Sequence, residues 1–296
     1  MALSEKQFNI LCALVDNKSS VSQRQISDET SLSLATVNRT LKELSSLGLV
    51  NDGIITDAGI NALEPYRIKR AVFLAAGFGS RMVPITLSTP KPLVRIHGVR
   101  IIDRLIDACL AIGINEIYIV RGYLSENFDC LVHKYPMIHF LENDIYNETN
   151  NISSALCARQ FLSNCYVFEG DLLLSNQTIL KKYHYQSEFL AIKKDRTDDW
   201  CFEAIHGRIS GLRHGGLDCW QEVGISYWCD DDGKNLCNHL KEAFDMPGGK
   251  ELFFEAVPLT VFRNSFSVKI DECNEDDIIE IDSFNELKAI DKSYDI

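Results

Sequence analysis

The sequence predicts an α/β protein: a mostly parallel sheet covered by helices over its last two hundred or so residues, preceded by a small helical domain. Two observations carry this. After residue 70, apolar runs of strand length alternate with amphipathic helical stretches, the order of a sheet whose crossovers are helices. Before residue 66, three capped helical stretches precede two short apolar runs around an Asp-Gly turn.

In the first segment, "SEKQ" at 4–7 is a capping box, with Phe8, Leu11, Cys12 and Val15 following at helical spacing. "SQRQ" at 22–25 repeats the box before a short helix with Ile26. Leu34, Val37, Leu41, Leu44 and Leu47 make a third apolar stripe, which Gly48 ends. "LVNDGIITDAGINALEPY" then reads as strand, turn at Asp52-Gly53, strand and short helix. "EPYRIKR" at 64–70 is the junction, and the expected domains are 1–66 and 67–296.

In the second segment, "RAVFLAA" is a buried strand, 100–113 a helix, 116–123 a strand, "SENFDCLVHKY" a helix, "IHFLEND" a strand, "NISSALCARQFL" a helix and "CYVFEGDLLL" a strand. Ligands of such sheets sit beyond the carboxyl ends of the strands, which draws attention to "AAGFGSRMVPITLSTPKP" at 75–92. Met82 stands where a dinucleotide loop needs a third small residue. Pro84, Pro90 and Pro92 forbid a long following helix, and no G-K-[ST] is present. Backbone N–H groups near Gly77 and Gly79, followed by Arg81 and Lys91, suit a triphosphate along an extended loop; a tight turn with surface charges is the alternative.

Composition narrows the classes. The chain has 296 residues, 46% of them hydrophobic, and no apolar run of membrane-spanning length. Its start lacks a signal-peptide pattern, and its ten cysteines form no C-x-x-C pair. The expectation is a cytoplasmic protein with reduced thiols. Residues 1–70 are charge-neutral, and the rest carries the whole net charge of −12, which disfavours an extended nucleic-acid surface there.

Two resemblances follow. Residues 1–66 resemble a winged helix-turn-helix domain, with "SLATVNRTLKELSSLGLV" as recognition-helix match. That implies DNA contacts through Thr36, Asn38, Arg39, Thr40 and Lys42; packing on a partner is the other reading, favoured by the neutral charge. "LAAGFGSRMVPITLSTPKPLVRIHGVRIID" resembles the signature of nucleotidyltransferases, matching at Ala75, Ala76, Gly77, Gly79, Arg81, Pro84, Thr86, Pro90, Lys91, Leu93 and Gly98. With "RGYLSEN", "ENDIYNETNNISSAL", "VFEGDLLL", "DRTDDW", "VGISYW" and "IIEIDSFNEL", the series is similar to bacterial CTP:phosphocholine cytidylyltransferases over about residues 70–292.

The resemblance implies a Rossmann-like nucleotidyltransferase domain with a mostly parallel mixed sheet, which transfers CMP from CTP to phosphocholine with Mg²⁺. Phosphoethanolamine, 2-aminoethylphosphonate, a sugar 1-phosphate, or a regulator that only senses such ligands are the alternatives. Arg81 and Lys91 would act on the triphosphate. Asp171 ends an apolar strand, where an acid is otherwise unwelcome, and would bind metal with Asp282 and accessory Glu280. "DSFNEL" is equally a helix cap. Ala75, Ala76, Gly77, Gly79, Gly122, Tyr123, Asn151 and Ser153 would form the nucleotide pocket. Trp200, Trp228, Phe253 and Phe254, with Glu251 and Glu255, are candidates for an ammonium site, or the aromatics are core.

Overall fold

A computed structural model describes residues 2–16 and 21–295. The chain divides into two compact units. One runs to Arg67 and includes Tyr183–Tyr185; the other comprises Ile68–Lys182 and Gln186–Ile296.

The first unit contains α1 (Glu5–Asp16), α2 (Gln23–Thr30), α3 (Leu34–Ser46), the ribbon β1 (Val50–Asn51) and β2 (Ile54–Ile55), and α4 (Asp57–Leu63). Both capping boxes form: Gln7 Oε1 accepts the Ser4 N–H at 3.0 Å, and Gln25 Oε1 that of Ser22 at 3.0 Å. Ile10, Leu11, Ile26, Val37, Leu44 and Leu63 make the core. Thr40 is buried with them, so it is a packing residue and not one of the exposed contacts expected on α3. Gly59 sits in α4 because a Cβ there would fall 2.3 Å from the Leu49 carbonyl. The linear division of the sequence does not anticipate the segment 183–185. Tyr185 stacks on Tyr66 at 5.5 Å and packs on Phe8, and its hydroxyl donates to the Leu3 carbonyl at 3.1 Å.

The second unit begins with β3 (Arg70–Leu74), the hairpin β4 (Arg95–Ile96) and β5 (Val99–Arg100), α5 (Ile101–Ala111), β6 (Glu116–Arg121), β7 (Ile138–Glu142), α6 (Ile152–Ala158), β8 (Cys165–Glu169) and β9 (Leu172–Leu174). It continues with β10 (Glu188–Ile205), β11 (Arg208–Trp228), α7 (Asp230–Asp245), β12 (Lys269–Cys273), β13 (Ile278–Glu280) and α8 (Phe284–Ile290). The main sheet has the order β10-β12-β11-β8-β3-β6-β7. Strands β8, β3, β6 and β7 are parallel, and β11 runs antiparallel to β8. The central strands are apolar on both faces because a core lies on each: α5 covers one, α6 and α7 the other.

Two elements differ from expectation. Residues 125–131 form 3₁₀ turns instead of a full α-helix. "CYVFEGDLLL" is not one strand: it breaks at Gly170-Asp171, and its second half leaves the main sheet to pair with β13. The three prolines after the glycine loop act as expected, leaving only short 3₁₀ turns between Ser80 and Leu93. Among the described residues no helix is long and apolar enough to cross a membrane.

Candidate functional site

A cavity of about 800 Å³ opens beyond the carboxyl ends of β3 and β8, lined on one side by the glycine loop and on the other by β10, β11 and residues 253–260. Local sequence explains how the loop reaches it. Gly79 adopts φ +68, and a Cβ there would crowd Lys91 Cβ and Thr86 Cγ2 at 3.3 Å. The Thr86 hydroxyl donates to the Gly79 carbonyl at 3.0 Å and ties the turn down. Gly170 serves the opposite wall, since a Cβ there would lie 2.8 Å from Pro92. Its absence lets the end of β8 close on the loop carrying Lys91.

Charge is concentrated at this junction. Lys91 Nζ donates to Asp171 Oδ2 at 2.7 Å and to Asp282 Oδ1 at 3.3 Å, and Arg81 pairs with the same Asp282 oxygen at 2.5 Å. The β9–β13 ladder brings the two aspartates together, ending in an Ile281 N–H bond to the Asp171 carbonyl at 3.1 Å. Glu286 accepts the Asp282 N–H at 2.7 Å from the first turn of α8. The helix-cap and site readings of "DSFNEL" are therefore both realised: Ser283 is the cap, and Asp282 is the residue left facing the cavity. Burial alone would lower the Lys91 pKa, but Asp171 and then Asp282 raise it overall and keep the amine charged.

The cavity wall holds seven carboxylates, from Glu169, Asp171, Asp199, Glu222, Glu255, Glu280 and Asp282, against the two cations Arg81 and Lys91. Burial, with repulsion from Asp171 and Asp282, lifts Glu280 to about 9. Burial lifts Glu255 to about 7. Glu169 and Glu222 are also raised by burial and by Glu255. Glu169, Asp171 and Glu280 form one group with ligand oxygens within 4.8 Å of one another, and Asp199, Glu280 and Asp282 form a second. Asp171 Oδ1 is buried with no hydrogen-bond partner. An orphaned carboxylate oxygen among all-oxygen donors fits a hard divalent cation.

The predicted site residues divide. Ala75, Ala76, Gly77, Gly79, Arg81, Lys91, Asn151, Ser153, Asp171, Trp200, Phe253, Glu255, Glu280 and Asp282 line the cavity. Asn151 binds Glu169 through Nδ2 at 3.2 Å and accepts the Phe254 N–H at 2.7 Å. The Ser153 hydroxyl is taken up by Thr149, Asn143 and Asn150.

Five residues do not line it. Trp228 is fully buried between Phe189, Phe254 and Phe266, its Nε1–H bonded to Ser226 Oγ at 2.9 Å. Phe254 is core for the same reason. Glu251 is exposed on a turn beside a separate surface depression. Gly122 makes room for the Tyr146 ring, which would lie 2.6 Å from a Cβ, and it is Tyr146 that reaches the wall. Tyr123 turns its ring onto Phe78 at 4.7 Å.

Sequence reasoning missed Glu169, Asp199, Glu222, Tyr146 and His214. Glu169 had a usable signal, since it shares the strand-end "FEGD" with Asp171. Asp199 and His214 sit on a long hairpin whose register alone brings them to the site, with Trp200 opposite His214 and the two rings 5.4 Å apart.

Residues 71–197 match the family of MobA-like NTP transferase domains, and residues 3–51 match winged helix-turn-helix DNA-binding domains. The chain is 34% identical over 228 residues to the 2-aminoethylphosphonate cytidylyltransferase of Lancefieldella rimae, covering 76% of this chain and 92% of that protein. It is 31% identical to the choline-phosphate cytidylyltransferase of Haemophilus influenzae, covering 74% and 95% respectively. Among solved structures, the CTP:phosphocholine cytidylyltransferase of Streptococcus pneumoniae superposes with a TM-score of 0.70 at 25% identity, covering 77% of this chain and 99% of that one.

Proposed function

This chain belongs to the cytidylyltransferases among the MobA-like NTP transferases, and from that premise we propose that it transfers CMP from CTP to a small phosphate or phosphonate ester-type acceptor bearing an ammonium group, in the cytoplasm. Phosphocholine, phosphoethanolamine and 2-aminoethylphosphonate belong to this class. The observation that carries the reading is the Lys91 ammonium held between Asp171 and Asp282 at the mouth of the glycine loop.

An acceptor oxygen attacks the α-phosphorus of CTP; that O–P bond forms as the bond to the bridging oxygen breaks, and pyrophosphate leaves. Backbone N–H groups around Gly77 and Gly79 with Arg81 and Lys91 cradle the phosphates, the two cations exchanging carboxylate partners for phosphoryl oxygens. Asp171 and Asp282, with Glu280 beside them, would hold Mg²⁺, which offsets the charge of two anionic reactants. Asn151 and the glycine loop support the nucleotide side. Trp200, Phe253 and the acids of the far wall face the acceptor's ammonium.

The test is pyrophosphate release from CTP and Mg²⁺ with phosphocholine, phosphoethanolamine, 2-aminoethylphosphonate and glucose 1-phosphate, each repeated with UTP. Turnover confined to the amine acceptors with CTP is expected. Turnover confined to glucose 1-phosphate, or none at all, overturns the reading.

The first unit supports a second activity, DNA binding through α3, where Arg39 and Lys42 are exposed and Thr36 and Asn38 half-buried. Retarded migration of a DNA fragment at low salt, lost in Arg39→Ala/Lys42→Ala, is the expected result; no retardation with the full chain, with or without CTP and acceptor, removes it.

A further inference from the structure

We propose that the acceptor subsite is built for a primary ammonium, R–NH₃⁺, and discriminates against the trimethylated one, with Glu222 and Glu255 as the specificity-determining residues. The inference rests on the cytidylyltransferase reading above and concerns only which amine that reaction uses.

Part of the cavity wall is acidic without a basic partner. Glu169, Glu222 and Glu255 all face the cavity, and among the described residues none of the three has a lysine or arginine within salt-bridge distance. Their hydrogen-bond donors are neutral: Asn151 Nδ2 to Glu169 at 3.2 Å, and the Gly224 N–H to Glu222 at 3.0 Å. Glu255 is only 6% exposed. Carboxyls in this state either hold a proton, as burial favours here, or ionise against a cation from outside the chain.

A metal ion does not account for two of them. Glu169 belongs to a metal-sized group with Asp171 and Glu280, but among the described residues Glu222 and Glu255 fall in no group of three with ligand atoms within 4.8 Å of one another. A cation carried by the substrate would pair with both and hold them ionised.

The form of that cation follows from what surrounds it. A quaternary ammonium donates no hydrogen bond and is held by aromatic faces. Among the described residues the rings lining the cavity are Tyr146, which packs on Gly122 beside the glycine loop, and Trp200 and Phe253, edge to face at 5.6 Å, with the His214 imidazole edge-on to Trp200. The two other aromatics that the sequence offers for a cage, Trp228 and Phe254, are 0% and 1% exposed and packed against each other. A primary ammonium instead offers three N–H donors, enough to satisfy Glu222 and Glu255 and leave one for Glu169 or water. Three methyl groups in the same place would strip the carboxylates of water and return no hydrogen bond.

The test uses the full chain with CTP and Mg²⁺ and a series that differs only in methylation: phosphoethanolamine, its N-methyl and N,N-dimethyl derivatives, and phosphocholine. Expected is a stepwise fall in kcat/KM, reaching on the order of 10²–10³-fold at phosphocholine, with 2-aminoethylphosphonate grouped with phosphoethanolamine. In Glu222→Gln and Glu255→Gln the primary-to-quaternary ratio should shrink by about tenfold or more, through a higher KM for the primary amine. Equal or better turnover of phosphocholine overturns this inference and leaves cytidylyl transfer standing. Turnover of no amine acceptor overturns both. An unchanged ratio in both variants removes Glu222 and Glu255 as its source.

Discussion

Lys91 and Asp171 lie eighty residues apart in sequence and 2.7 Å apart at the cavity floor, both mostly shielded from solvent. Neither would be stable there alone. A buried pair stripped of one member leaves a charge without compensation, at a cost of roughly 3–5 kcal/mol. Lys91→Ala should therefore lower the thermal midpoint substantially, and millimolar Mg²⁺ should restore more of it than in wild type, because Asp171 and Asp282 then have only Arg81 between them. A scan with and without Mg²⁺ reads both effects; a midpoint that does not move removes the buried pair as a source of stability.

Asp171→Asn separates charge from shape. The amide oxygen still accepts from Lys91, so folding should survive, while the orphaned oxygen that fits a divalent cation loses its charge. Pyrophosphate release should fall on the order of 10²–10³-fold, with a thermal midpoint close to wild type. Near-normal turnover would end the metal assignment at this residue.

The difference between these residues and those that escaped notice is physical. The glycine loop, Arg81 and Lys91 reach the cavity from one contiguous stretch, so a local motif is enough to bring them together. Asp171 stood out as an acid at the end of an apolar strand, whereas Asp282 came from the family resemblance alone, the helix cap in "DSFNEL" being the competing reading. Glu222, Asp199 and His214 carry no local anomaly; the irregular register of β10 on β11, with several bulges, decides which way they face. Trp228 is the converse case. Its composition suited a cage, but alternation along β11 turned it inward against Phe254. Tyr185 belongs to the first unit through ring contacts with Phe8 and Tyr66 that no run of sequence discloses.

Trp200 and Trp228 should accordingly behave as opposites. Trp228→Ala empties a fully buried site and should cost about 3–5 kcal/mol, read as a lower urea midpoint. Trp200→Ala should leave that midpoint nearly unchanged and raise KM for the acceptor several-fold, the size of one aromatic contact to a cation. A stability loss at Trp200 with no kinetic effect would return it to the core.

The buried acids also set a pH dependence whose sign is fixed. Burial raises Glu255 from 4.5 in the open chain to about 7. A carboxyl held neutral by folding contributes stability that is fully present below its unfolded pKa and is lost as pH rises through the folded one. Wild type should thus lose stability between about pH 4.5 and 7 on account of this group. Glu255→Gln keeps the shape, cannot ionise, and also relieves the repulsion that Glu255 exerts on Glu169 and Glu222. Its unfolding free energy relative to wild type should therefore be more favourable at pH 8 than at pH 5, by up to roughly 3 kcal/mol. A saturating cationic acceptor should narrow the gap, since it stabilises the ionised carboxylate of the wild type alone. Urea unfolding at the two pH values, with and without phosphoethanolamine and CTP, measures both terms; a gap of the opposite sign would show that Glu255 is already ionised and paired in the folded protein.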